Sequence, residues 1–118
     1  MAEPKPSLMT AFDRDKALKT FGSAEVLREA GRVYLEEAAS MFERIRKAAE
    51  ARDFHELRES AHWIKGGMTY LHATSASRLA QAIEELAKAQ QVDGLDQAIE
   101  RLGQEMKALE EELRAEGW

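Results

Sequence analysis

The chain has 118 residues, enough for one domain with a single core and no more. It is 44% hydrophobic and 33% charged with only two prolines, which favours a helical protein over a sheet. A net charge of −5 without dense Lys/Arg clusters argues against nucleic acid, zero cysteines exclude disulfides and thiolate metal sites, and no apolar run nears the ~20 residues that span a bilayer.

Residues 1–10 contain both prolines, show no periodicity and lack the apolar core of a secretory signal. A disordered tail is expected there, followed by one helical domain over residues 11–118 of a soluble, cytoplasmic protein. Asp13 is placed to cap a short helix with Ala17, Leu18 and Phe21 on one face. Gly22-Ser23 ends it and opens the next, with Ser23 as N-cap and Glu25 near the positive end. This second helix runs to about Ala51. Leu27, Tyr34, Met41, Ile45 and Ala48 form its stripe, and Leu35 and Phe42 widen it. Gly31 interrupts it without a turn signal, which predicts a close helix crossing.

Asp53-Phe54-His55-Glu56 reads as a reciprocal capping box with Asp in the Ser/Thr place. It opens a third long helix whose stripe is Phe54, Leu57, Ala61, Ile64, Met68 and Leu71. Thr74 or Ser75 is the expected cap of the fourth, with Leu79, Ile83 and Leu86 inward. Asp93-Gly94 marks a turn, and the last helix carries Leu95, Ile99, Leu102, Met106, Leu109 and Leu113. Four long amphipathic segments with short connections predict an all-α, antiparallel four-helix bundle, with the short N-terminal helix covering one end.

The third helix holds the candidate chemistry. At 100° per residue, His62 lies roughly 130° from the middle of the buried stripe, toward solvent. Lys65 follows one turn on and roughly 60° nearer the core, and Gly66-Gly67 come directly after it. Adjacent glycines inside a helix cost about 1 kcal/mol each relative to alanine, so their presence beside an exposed histidine points to a need for space. By exposure alone, His62 reads as an idle surface histidine and Lys65 as a solvated lysine.

His62-x-x-Lys65-Gly66 followed by Leu71-x-Ala73 resembles the signature of the histidine-containing phosphotransfer (HPt) domain. The match is best over residues 59–88, and helix lengths and order agree in pattern from Phe12 onward. One position departs: Leu71-His72-Ala73 stands where the family usually has Leu-Gly-Ala. The resemblance implies a phosphorelay intermediate. His62 would take a phosphoryl group from a receiver-domain aspartate or a histidine kinase and pass it to a response-regulator receiver. Imidazole suits this, being neutral near cell pH, nucleophilic and able to form a labile phosphoramidate. Lys65 would offset phosphoryl charge, and Gly66 would let the partner's active site approach. Gly67 stands where many relatives have a small polar residue. His55, Glu59 and Thr69 share the outward strip. Trp63 and Tyr70, seven apart, are either partner-docking surface or packed against another helix. Glu84 and Lys88 fall, by family pattern, near where relatives place polar groups beside the histidine. Gly66, Gly67, Glu59, Trp63, Thr69, Tyr70, Glu84 and Lys88 together form the expected docking set.

Such a chain would be a carrier, not an enzyme, with no cofactor or metal of its own, and a monomer that engages no membrane. Other readings are weaker. Glu59-x-x-His62 fits a di-iron bundle motif, but it occurs once where two copies are needed. A single-metal site from His55, Glu59 and His62 is geometrically possible on one face. No nucleotide-binding glycine loop supports a kinase. The rival class is a scaffold bundle that binds a partner helix, with a receiver-docking domain that carries no phosphate lying between the two.

Overall fold

A computed structural model describes residues 11–115. The expected tail over residues 1–10 and the final three residues lie outside them. Five helices follow in order: α1 (Arg14–Phe21), α2 (Ala24–Ala51), α3 (Phe54–Tyr70), α4 (Thr74–Lys88) and α5 (Leu95–Ala115). Among the described residues there is no strand, so the chain is all-helical. The four long helices close a ring. α2 packs on α3, α3 on α4, α4 on α5, and α5 returns to α2, while α1 rests on α2. No helix among the described residues is long and apolar enough to cross a membrane.

Most helix ends follow the sequence. The Asp13 carboxylate accepts the Lys16 amide at 3.1 Å, and Ser23 Oγ accepts that of Val26 at 3.2 Å. Gly22 (φ 89°) and Gly94 (φ 82°) supply the left-handed turns expected of them. Two caps differ from expectation. Asp53 accepts the Glu56 amide at 3.1 Å, but the reciprocal half of the box is not made. The Glu56 carboxylate goes instead to Arg44 on α2 and to Ser60, and the Asp53 amide bonds Ala48 O at 2.9 Å. An inter-helix charge has outcompeted a local bond. Neither Thr74 nor Ser75 caps α4. The N-cap is Ala73, with no side-chain cap bond, because that residue is fully buried and the chain enters the helix from the core.

Leu57, Ala61, Ile64, Met68 and Leu71 bury as predicted, and Phe54 is partly buried. Each fully buried aliphatic side chain of Leu or Ile size contributes about 1.5–3 kcal/mol. The α4 stripe is shifted. Its buried line is Ala76, Ala80, Ile83 and Ala87, and Leu79 and Leu86 only flank it. Small residues let α4 lie close along α3, its most extensive partner. The crossing expected at Gly31 is present: a Cβ there would stand 2.7 Å from Leu113 Cδ1 of α5.

Residues 11–13 strap the end of the ring. Ala11 and Phe12 are buried, and the Ala11 amide donates to the Glu112 carboxylate of α5. Burial pushes the Glu112 carboxyl above its ordinary range, against the lowering effect of the Ala11 and Phe12 amides. The Asp13 amide donates to His72 O at 2.9 Å, and Thr20 Oγ1 lies 2.7 Å from His72 Nε2. His72 takes φ 61°, the left-handed conformation that glycine adopts most readily. His72→Ala keeps the strained backbone and loses the Thr20 contact, whereas His72→Gly relieves the strain. The alanine variant should therefore unfold about 1–2 kcal/mol more easily than the glycine variant, read from urea midpoints. Equal midpoints would mean the turn is not strained.

Candidate functional site

The site lies where the outer face of α3 meets α4. His62 projects from α3 with its side chain 66% exposed, as its angular position predicts. Its Nδ1 is 3.0 Å from Glu84 Oε2 on α4. Lys65, one turn along α3, places Nζ 3.0 Å from the other oxygen, Glu84 Oε1. Both cationic or potentially cationic groups of the motif therefore converge on one carboxylate, itself only 9% exposed.

Burial opposes ionisation of Glu84. The contacts with Lys65 and His62 outweigh it, so the carboxyl sits below its usual range and is ionised at neutral pH. An ionised carboxylate only accepts hydrogen bonds. Nδ1 must therefore supply the proton of the His62–Glu84 bond. In the neutral ring this leaves the Nε2 lone pair unprotonated on the exposed side of the imidazole.

The two glycines do different jobs. A Cβ at Gly66 would meet nothing within 4 Å, so α3 has open space at that position. A Cβ at Gly67 would fall 1.9 Å from Tyr34 Cε1. Gly67 faces α2 and accommodates an internal ring, which corrects its placement in the docking set. Tyr34 also donates its hydroxyl to Ile64 O at 2.7 Å and stacks on Trp63, with centroids 5.1 Å apart and planes 10° from parallel. Burial pushes the Tyr34 phenol far up, so it remains a donor. Trp63 thus takes the second of its two sequence readings, packing against another helix. Tyr70 remains 65% exposed and leans on Phe21 of α1, with centroids 5.5 Å apart.

Glu59, Thr69 and His55 on α3 and Lys88 at the end of α4 are exposed. Thr69 Oγ1 donates to Lys65 O at 2.9 Å and lies 2.7 Å from Ser77 Oγ, tying α3 to α4 beyond the site. Glu84 is not a surface docking residue, because most of it is covered and both its oxygens are engaged inside the site. Its signal in the sequence was a charged residue within the α4 stripe, between Ile83 and Ala87. Tyr34 was visible only as one more stripe position. Among the described residues no group of three His, Cys, Asp or Glu side chains is placed to hold a metal ion.

A family model described as the Hpt domain matches residues 29–112, well over half the chain. The chain belongs to the Hpt-domain family. The matched residues of this Hpt domain include Tyr34, His62, Lys65, both glycines and Glu84, and exclude α1. Membership implies histidine phosphotransfer in two-component phosphorelays, the setting in which Hpt domains meet receiver domains and histidine kinases. No curated protein and no solved structure matched the chain significantly.

Proposed function

We propose that this Hpt domain is a phosphorelay intermediate with His62 as phospho-acceptor. The observation that carries the reading is the Glu84–Nδ1 bond, which leaves Nε2 as the free nucleophile of an exposed ring. Nε2 attacks phosphorus in line with the bond to the donor, an aspartyl phosphate of a receiver or the phosphohistidine of a kinase. The N–P bond forms as the donor's P–O or P–N bond breaks, and the leaving carboxylate or imidazole keeps the electron pair. The ring becomes a phospho-imidazolium whose Nδ1 proton faces Glu84. That charge pairing stabilises the acceptor as it forms. It also keeps the phosphoryl group labile for the return step to another receiver aspartate.

Lys65, tied to Glu84 in the resting domain, has its ammonium one turn from His62 to offset phosphoryl charge. Gly66 leaves the approach clear. Glu59, Thr69, Tyr70 and Lys88 are the surface we assign to partner docking. The metal needed for transfer belongs to the receiver, so the domain holds no cofactor of its own. We read the ring of helices as an antiparallel four-helix bundle with α1 as the extra N-terminal helix, acting as a cytoplasmic monomer over residues 11–118.

Phosphorus NMR after incubation with phosphoramidate tests the reading. One acid-labile phosphohistidine resonance is expected, with the label then passing to a receiver domain. A folded protein that takes label neither from phosphoramidate nor from a phosphorylated receiver would be a docking module without phosphate chemistry.

A further inference from the structure

The Gly66-Gly67 pair weakens α3 where the helix carries its chemistry, because glycine has lower helix propensity than other non-proline residues. In the i to i−4 pattern, the amides of Gly66 and Gly67 bond the carbonyls of His62 and Trp63. Fraying at the glycines would therefore loosen the turn that presents the imidazole. The geometry has little tolerance. His62 and Lys65, both on α3, each reach across to Glu84 of α4 at 3.0 Å, so a shift of about 1 Å in α3 would break both contacts.

Tyr34 of α2 meets this turn three times: through its hydroxyl to Ile64 O, through its stack on Trp63, and through its ring seated on Gly67. The same hydroxyl oxygen also accepts from the Met68 amide, whose regular helical acceptor would be Ile64 O. The hydroxyl therefore stands at both ends of one helical bond of this turn, and its contribution is to place the backbone there. We infer that Tyr34 is a positioning residue that braces the 63–67 turn from α2 and so holds His62 and Lys65 in register with Glu84 on α4. Gly67 is the space this brace requires. The inference rests on His62 being the phospho-acceptor, and it adds a residue on a different helix, 28 positions upstream, to the determinants of the transfer rate.

Tyr34→Phe is the probe, since it keeps the ring and removes only the hydroxyl. Ile99→Val on α5 is the control, a core truncation away from the site. Three readouts apply to the full chain: residue-resolved amide exchange, the 15N signature of the His62 Nδ1–H tautomer, and the initial rate of labelling by phosphoramidate. Tyr34→Phe should speed exchange at Gly66, Gly67 and Met68 by about 2- to 10-fold relative to α5, the range one hydrogen bond supports. It should also weaken the Nδ1–H preference and slow labelling by a similar factor. Ile99→Val should lower global stability without any of the three local effects. If exchange at Gly66–Met68 tracks the rest of the domain, or labelling slows no more than in Ile99→Val, Tyr34 is ordinary packing and the inference fails. If wild type takes no label at all, the acceptor reading fails on its own, and exchange and ring NMR still decide whether Tyr34 braces the turn.

Discussion

His62→Gln should take up no phosphoryl group from phosphoramidate or from a phosphorylated receiver, while unfolding within about 1 kcal/mol of wild type. The loss is chemical. A carboxamide nitrogen has its lone pair delocalised into the carbonyl and cannot attack phosphorus, so no partial activity should remain. The small effect on stability follows from position, since the His62 side chain is 66% exposed and sits outside the hydrophobic core. Glu84 is not stranded, because Lys65 stays 3.0 Å from Oε1 and the glutamine amide can donate to Oε2. His55→Gln provides the matched comparison. It lies on the same helix and is exposed, but no Glu84 contact orients its ring, so its labelling should equal wild type. Thermal unfolding by circular dichroism and phosphorus NMR on the three proteins decide the matter. Residual label in a folded His62→Gln protein would move the acceptor elsewhere.

The largest effect on stability is expected at Gly67. Gly67→Ala drives a methyl group into the Tyr34 ring at 1.9 Å, a distance no relaxation of a flexible tip can absorb, because the neighbouring atoms belong to a stacked aromatic plane. Overpacking of this kind costs about 1–3 kcal/mol, and displacing the stack on Trp63 adds about 0.5–1.5. The gain in helix propensity returns about 1 kcal/mol. A net loss of about 2 kcal/mol is expected, roughly 10 °C in the unfolding midpoint for a domain of this size. Gly66→Ala should go the other way, since its methyl meets open space and keeps the propensity gain. Coupling Gly67→Ala with Tyr34→Leu should recover part of the loss, whereas pairing Gly67→Ala with Ile99→Val should be additive. Equal effects at the two glycines would show that the ring is not seated as described.

These tests separate what could be read along one helix from what depends on two. The angular position of His62 followed from the spacing of Leu57, Ala61, Ile64 and Met68 alone, because period fixes where a side chain lies around its own axis. Asp13, Ser23, Gly22 and Gly94 were legible for the same local reason: each acts on amides or dihedrals within a few residues. The close crossing at Gly31 was also visible, since an interior glycine without turn neighbours calls for a nearby helix. Its partner, Leu113, was not.

Where expectation failed, a contact from another helix had replaced a local one. Glu56 left its capping box for Arg44, and Ala73 displaced Thr74 and Ser75 as cap because the core held it. Gly67 looked like a second outward clearance until Tyr34 filled it. Glu84 was placed near the histidine by family pattern, but that it is the carboxylate joining His62 and Lys65 appeared only across two helices.

Sequence by itself thus determined the helices, their inward faces, the exposed histidine with its lysine and glycine, and through the His-x-x-Lys-Gly motif the family. Tertiary structure decided which partners those residues have. Pairing across helices depends on crossing angle and relative rotation, and these are set by how alanines, glycines and aromatics from several helices fill a shared space. No single helix's periodicity contains that information.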